Sequence, residues 1–257
     1  MRVHPQRPAA HRRATGPTPT PSTTPTLLVV SAFPPELAPL RRSLRRPELA
    51  AWVREGRLAC QAVGIGLVDA AIGTTRLLEA ATAGGSSAAP TGALLFVGTA
   101  GSYGADLPPG TVVVADEVVL VSTAAARGQG YLPDRMPTRI AASRRLATGL
   151  LQAARRMTPS PGRAVRAIVA NPLAITRHAG LGRALARASA ADAENLEVFA
   201  VARAAAARRI PFAAVLGIAN RVGPTAHAEW QEHNASASAA ACATVAEFLG
   251  AHTRAPG

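Results

Sequence analysis

A chain of 257 residues can bury one substantial core, built here from Val, Leu, Ile and Ala, since hydrophobic residues make up 48% and aromatics only 4%. No apolar run reaches the roughly 20 residues of a membrane-spanning helix, so no membrane partner is expected. The net charge of +13 raises the question of nucleic acid, but all 28 basic residues are Arg, beside a very high Ala content. That skew reads as GC-rich coding, and neither a recognition module nor interleaved aromatics accompanies the Arg clusters at 2–13 and 41–46. No nucleic-acid partner is expected.

Residues 1–25 are rich in Pro, Thr and Arg, hold no apolar periodicity and are expected to be disordered. They lack the apolar h-region of a signal peptide. Cys60 and Cys242 lie far apart and outside any CxxC spacing, which reads as two thiols in a reducing cytoplasm rather than a disulfide or a metal site. No metal or organic cofactor is implied.

The pattern changes at Leu27. LLVVSAF is a short β-branched apolar run that predicts a buried strand, followed by Pro-Pro-Glu and a helical stretch, ELAPLRRSL. A strand over Leu58–Val63, a Gly-Ile-Gly turn and a helix over 68–80 follow. After a Gly/Ser/Pro loop at 84–92 come a strand over 93–97, a Gly-rich turn and a long β stretch, TVVVADEVVLVS. The remaining expectations are a helix over 140–156, a strand over 164–170, a helix near 177–188, a helix over 198–208, a strand over 212–218 and an Ala-rich C-terminal helix. This alternation predicts an α/β protein: one three-layer αβα domain over 26–251 with a central mixed, mostly parallel sheet, then a flexible tail over 252–257. Ligands in such folds sit at the carboxyl ends of strands. Glu36, Thr99-Ala100-Gly101, Glu197 and Asn220 are the polar or small residues that stand at such places.

LLFVGTAGSYGADLPPGTVVVADEVV resembles the signature of the purine nucleoside phosphorylase/nucleosidase superfamily, in which a strand ends in Gly-Ser/Thr-Ala-Gly and a Gly-Asp/Thr-Val-Val segment leads to Asp-Glu. GIGLVDAAIG resembles that family's earlier Gly-Ile-Gly turn and helix. ENLEVFAVARAAAARRIPFAAVLGIANRVG is similar to its Met-Glu helix, Val-Pro-Phe strand and Ile-Ser-Asp/Asn turn. The resemblance covers about residues 27–250. It implies a phosphorylase/hydrolase-like fold, a purine nucleoside as ligand and a homo-oligomeric assembly.

The resemblance also implies roles. Glu197 takes both ribose hydroxyls, which suits a carboxylate that accepts two hydrogen bonds at once. Leu196 stands for the usual Met under the sugar, and Thr99, Ala100 and Gly101 line the base and sugar pocket. Glu36 occupies the place of the glutamate that activates water in hydrolytic members. Phosphorolytic bacterial members have Arg-bearing segments where this chain has Phe33-Pro34-Pro35 and Phe96, so water suits the site better than phosphate. Asn220 replaces the aspartate that protonates N7 in adenine-cleaving relatives. Its amide can accept from N7–H and donate to a 6-oxo group, the pattern of hypoxanthine.

Within the family, IANRVGPTAHAEW looks similar to the corresponding stretch of futalosine hydrolases, which act on a menaquinone-pathway nucleoside carrying hypoxanthine and a benzoate arm. Ala219 departs from their usual Ser, and their Arg-Asp-Arg stretch is missing after Gly223. IVANPLAIT resembles the segment that reads the base edge, through Ala174 and Ile175, with Ala174 where adenine-specific relatives stack an aromatic. Arg221, Arg177 or His227 is a candidate to meet a carboxylate. Three alternatives stay open: a 5′-methylthioadenosine/S-adenosylhomocysteine nucleosidase, a hopanoid-pathway nucleosidase, and a silent nucleoside-binding homologue.

Overall fold

The computed structural model describes residues 26–83, 91–157 and 163–254. The expected tail over 1–25 and most of the expected loop at 84–92 lie outside them, as do 255–257. Among the described residues the strands are β1 (Thr26–Ser31), β2 (Leu58–Ala62), β3 (Thr91–Ser102), β4 (Val112–Leu120), β5 (Arg139–Ala141), β6 (Ala164–Asn171), β7 (Ala193–Glu194) and β8 (Phe212–Arg221). The helices are α1 (Pro34–Ser43), α2 (Pro47–Arg54), α3 (Gly66–Ala83), α4 (Thr123–Ala126), α5 (Arg144–Met157), α6 (Ala179–Ser189), α7 (Val198–Ala207) and α8 (Ala226–Arg254).

The sheet runs β2-β1-β3-β7-β6-β4-β5, and β8 pairs with both β3 and β4. β3 and β4 are therefore joined twice, through β8 and through β7–β6, which closes part of the sheet on itself. The pairs β1–β2, β1–β3, β3–β8, β4–β6 and β6–β7 are parallel, while β3–β7, β4–β5 and β4–β8 are antiparallel. The sheet is mixed and mostly parallel, as the sequence predicts.

Strand alternation builds the layers. Leu27 and Val29 of β1, Leu95 and Val97 of β3 and Val112 and Val114 of β4 face a core shared with α1, α2, α5 and α8. Their neighbours Leu28, Val30, Leu94, Phe96 and Val113 face the other core, shared with α3 and α7. Because both faces of the sheet are covered, these strands read as continuous apolar runs rather than as alternation. Each fully buried Val, Leu or Phe side chain contributes about 1.5–3 kcal/mol. On α5 the buried residues Ala147, Leu150, Leu151 and Ala154 recur at helical spacing and form one stripe against the first core.

Two sequence expectations change. The Gly-rich segment after Val97 is not a turn, because β3 continues through Gly98–Ser102, paired to β8 and β7. Ile140 does not begin a helix: β5 pairs with β4 there, and α5 starts only at Arg144. Short elements α2, α4 and β7 carry too few residues to show a periodicity. Among the described residues no helix is long and apolar enough to cross a membrane.

Candidate active site

The carboxyl ends of β1, β3 and β8 open onto a cavity of about 340 Å³. Its wall includes Phe33, Glu36, Ile65, Thr99, Ala100, Gly101, Ile175, Glu194, Asn195, Leu196, Glu197, Asn220, His227 and Trp230.

Glu36 enters from the first turn of α1. Pro34 and Pro35 occupy the first helical positions, where a missing N–H is harmless and the fixed φ suits the helix. The Glu36 carboxylate accepts hydrogen bonds from the backbone N–H of Ala32 and of Thr99, both at 3.2 Å. Gly98 makes room for it: a Cβ there would lie 3.1 Å from Glu36 Oε1 and 3.3 Å from the Phe96 ring. The side chain is 5% exposed. Burial, and secondarily the charge of Glu197, push its pKa from 4.5 up to about 8, against the pull of the backbone donors.

Glu197 stands at the start of α7 and is likewise 5% exposed. Its Oε1 accepts the Gly66 N–H at 2.8 Å, which ties it to the Gly-Ile-Gly turn ahead of α3. Burial raises its pKa too. Two buried carboxyls on one cavity resist carrying two negative charges together.

Asn195, which sequence reasoning did not single out, holds this arrangement together. Its Oδ1 accepts from the N–H of Glu197 at 2.9 Å and of Val198 at 2.8 Å, capping α7, and its Nδ2 donates to Thr99 O at 3.0 Å. One side chain thus ties the Glu197 helix to the strand whose Thr99 N–H holds Glu36. Asn171 reinforces it, donating to Leu196 O at 2.8 Å and accepting the Phe199 N–H at 2.9 Å.

Just beyond Thr99 on β3 the register shifts by one residue on β8, so that Ala100 faces Ile218 and Gly101 faces Asn220. This bulge brings Asn220 onto the cavity wall. The Asn220 Nδ2 donates to Arg221 O at 3.2 Å, and it would lie 2.9 Å from a Cβ on Gly101. Only glycine lets the amide lean across the strand.

The N-terminal turn of α8 closes the mouth. Trp230 Nε1 donates to Thr99 Oγ1 at 3.2 Å, and the Trp230 and His227 rings lie nearly parallel, 13° apart with centroids 6.2 Å apart. The bond of Trp230 to Thr99, 131 residues away in the chain, is legible only in three dimensions.

Of the residues singled out from the sequence, Glu36, Thr99, Ala100, Gly101, Ile175, Leu196, Glu197 and Asn220 meet on one cavity, and His227 joins them. Ala174, Arg177 and Arg221 do not. All three are exposed and stand off the wall. Leu173–Ile175 lie on an open segment with only Ile175 reaching in, and the bulged Asn220 turns inward while its neighbour Arg221 turns to solvent. Among the described residues no cluster of His, Cys, Asp or Glu could hold a metal ion.

Three solved structures share this fold. 5′-Methylthioadenosine/S-adenosylhomocysteine nucleosidase from Neisseria meningitidis, in complex with methylthio-immucillin-A, is 21% identical, with a TM-score of 0.73 over 88% of this chain and 99% of that one. Futalosine hydrolase of Helicobacter pylori is 15% identical, with a TM-score of 0.73 over 88% and 97%. A Colwellia psychrerythraea 5′-methylthioadenosine/S-adenosylhomocysteine nucleosidase in complex with adenine is 19% identical, with a TM-score of 0.73 over 88% and 95%. No curated protein matches the chain in sequence. The sequence model of the phosphorylase superfamily matches residues 26–250, and the chain belongs to that superfamily.

Proposed function

We propose that this chain is a hydrolytic nucleosidase that cleaves the N-glycosidic bond of a purine nucleoside. The observation that carries the reading is the cavity wall itself. It presents three buried carboxyls, Glu36, Glu194 and Glu197, and no Lys or Arg side chain among the described residues. A phosphate dianion would meet carboxyls and no counter-charge there, which is costly in a desolvated site. Water carries no such penalty.

In this mechanism Glu197 accepts hydrogen bonds from the ribose hydroxyls and fixes the sugar. Glu36, ionised, takes a proton from a water as the water oxygen bonds to C1′. The C1′–N9 bond breaks, and its electron pair leaves with the purine. Positive charge gathers on the sugar between the two acidic groups, and negative charge on the base is met by Asn220. A pKa pushed up to about 8 makes Glu36 a far stronger base than an exposed carboxylate.

Asn220 suits hypoxanthine better than adenine, since an amide cannot deliver a proton to N7 but can serve N7–H and a 6-oxo group together. The proposed substrate is therefore a 6-oxopurine nucleoside, with futalosine the best fit. Its acidic arm would leave past His227 and Trp230 at the mouth rather than meet Arg177 or Arg221. We further propose a homo-oligomer: Ile65, Val68 and Ile72 are 62%, 62% and 45% exposed and share one side of the α3 region beside the cavity, a surface that a second copy would cover.

The test is an assay of futalosine, aminofutalosine, inosine, methylthioadenosine and S-adenosylhomocysteine with and without phosphate. Phosphate-independent release of hypoxanthine from futalosine is the expected result. A requirement for phosphate overturns the hydrolytic reading, and exclusive release of adenine overturns the 6-oxopurine reading.

A further inference from the structure

The end of β8 is held from two sides. The Val222 N–H donates to Ser102 O of β3 at 2.8 Å, and N–H groups alternate along a strand, so that of Arg221 points away from β3. On that other side, among the described residues, β4 pairs with β8 only over Val215–Gly217, and no strand reaches Arg221. Glu229 of α8 takes the place of the missing strand. Its Oε2 accepts the Arg221 N–H at 2.8 Å, and its Oε1 accepts the Thr225 hydroxyl at 2.6 Å. The Glu229 N–H in turn donates to Thr225 O at 3.0 Å, so the carboxylate is fixed at both oxygens and at its own backbone. The Arg221 N–H, and after it the Thr225 hydroxyl, hold its carboxyl below the usual carboxylate range.

This latch stands one residue from the cavity. The N–H that Glu229 accepts belongs to the peptide joining Asn220 to Arg221. The Asn220 Nδ2 donates to the carbonyl of the next peptide, Arg221 O, at 3.2 Å. The two peptides flanking Arg221 therefore set where the Asn220 amide lies. An amide has a donor end and an acceptor end, so its direction decides what it offers a ligand. With one N–H spent on Arg221 O, the carbonyl oxygen and the second N–H are left for the cavity. Glu229 also lies among Ala226, His227 and Trp230, which line the cavity from the first turns of α8. One carboxylate thus ties the strand that carries Asn220 to the helix end that closes the mouth.

Resting on the nucleosidase reading above, we infer that Glu229 is a positioning residue for the leaving base: it pins the Asn220–Arg221 peptide to the start of α8 and so holds the Asn220 amide in the direction from which it meets that base. Glu229 is not on the cavity wall and acts only through Asn220. Solvent can satisfy the Arg221 N–H when the carboxylate is removed. A mobile water leaves the peptide free to turn, so what the latch adds is direction.

The experiment combines the side-chain amide spectrum of the 15N-Asn-labelled full chain with steady-state rates on futalosine and inosine. It compares wild type, Glu229→Ala, Glu229→Gln and Thr225→Val. The Asn residues are Asn171, Asn195, Asn220 and Asn234, and the Asn220 signals are those that vanish in Asn220→Asp. In Glu229→Ala the Asn220 signals should move and broaden, while those of Asn171 and Asn195, which hold the Glu197 helix, stay in place. The kcat should fall at least ~10-fold with KM changed by no more than about threefold, because the sugar contact is untouched. Glu229→Gln can still accept the Arg221 N–H and can donate to Thr225, so it should return both readouts to within about twofold of wild type. Thr225→Val removes one of the two side-chain bonds and should move the Asn220 signals in the same direction by less. If Glu229→Ala does not fold, Thr225→Val decides: moved Asn220 signals support the inference and unmoved ones overturn it.

Unmoved Asn220 signals in Glu229→Ala overturn the inference, and so does an unchanged kcat. A change that spreads to Asn171 and Asn195 overturns it as well, leaving Glu229 as a prop for the fold. Failure of Glu229→Gln to restore the signals assigns Glu229 to the dipole of α8 and overturns the latch. If wild type cleaves only with phosphate, the hydrolytic reading fails, and the same rates taken with phosphate test this one. If wild type cleaves neither nucleoside, both fall.

Discussion

Glu36 and Glu197, delivered by the first strand–helix junction and by the start of α7, face one cavity closely enough that the charge of Glu197 raises the proton affinity of Glu36. Four backbone or side-chain tethers fix that relationship: Ala32 and Thr99 N–H on one carboxyl, Gly66 N–H on the other, and Asn195 between their supports.

Glu36→Gln removes the proposed base and keeps the shape. Turnover on a 6-oxopurine nucleoside should fall ~10²–10⁴-fold, the usual worth of a positioned general base. Substrate affinity should change by no more than about threefold, because Glu36 is assigned to the water rather than to the sugar. Steady-state kinetics with product detection by absorbance checks both, and a variant as fast as the parent removes Glu36 from the reaction.

The pH profile carries a sign. In the proposed mechanism Glu36 acts ionised, so kcat/KM, which reports the free enzyme, should rise with pH through a midpoint near 8. Stability should run the other way. The folded-state pKa lies above the unfolded 4.5, so the native protein binds more protons than the unfolded chain between those values, and stability drops as pH rises from about 4.5 through 8. Thermal melts of wild type and Glu36→Gln should diverge over that window, with the variant the more stable at its alkaline end. Parallel curves would show that the buried carboxyl carries no such penalty.

Glu197→Ala deletes the proposed sugar contact. Two hydrogen bonds to a charged group are involved, so kcat/KM on a ribonucleoside should fall at least ~100-fold. A 2′,3′-dideoxy substrate gives the control: wild type and variant should differ far less on it, because the hydroxyls that Glu197 would hold are absent. Equal losses on both substrates would assign Glu197 a structural role alone.

Asn195→Ala uncaps α7 and leaves Thr99 O without its side-chain donor. Losing a cap costs about 0.5–2 kcal/mol, and a stranded buried acceptor adds about 1–3 kcal/mol. The melting temperature should drop by several degrees, since ~1 kcal/mol shifts a domain of this size by about 2–4 °C. Activity at a temperature where the variant is folded should fall as well, because Thr99 N–H also holds Glu36. Full activity with lowered stability would separate the scaffold from the site.

Much of this protein is determined by the sequence alone. The apolar runs at Leu27, Leu94, Val112 and Phe212 read as strands buried on both faces, and the stripe on α5 reads as a helix laid against them. With no long-range information, the residues that end those strands already mark Glu36, Thr99, Gly101 and Asn220, because side chains at strand ends escape the core while staying anchored to it. What no local pattern encodes is which strand ends share a wall. Pairing of Gly101 with both Glu194 and Asn220, the two-residue strand β7 and the reach of Trp230 back to Thr99 depend on register and on a sheet that closes on itself. Those are contacts between residues remote in the chain, decided by how the apolar faces pack. The same packing sends Glu194 inward and leaves Ala174, Arg177 and Arg221 in solvent, although nothing in their neighbouring residues distinguishes them.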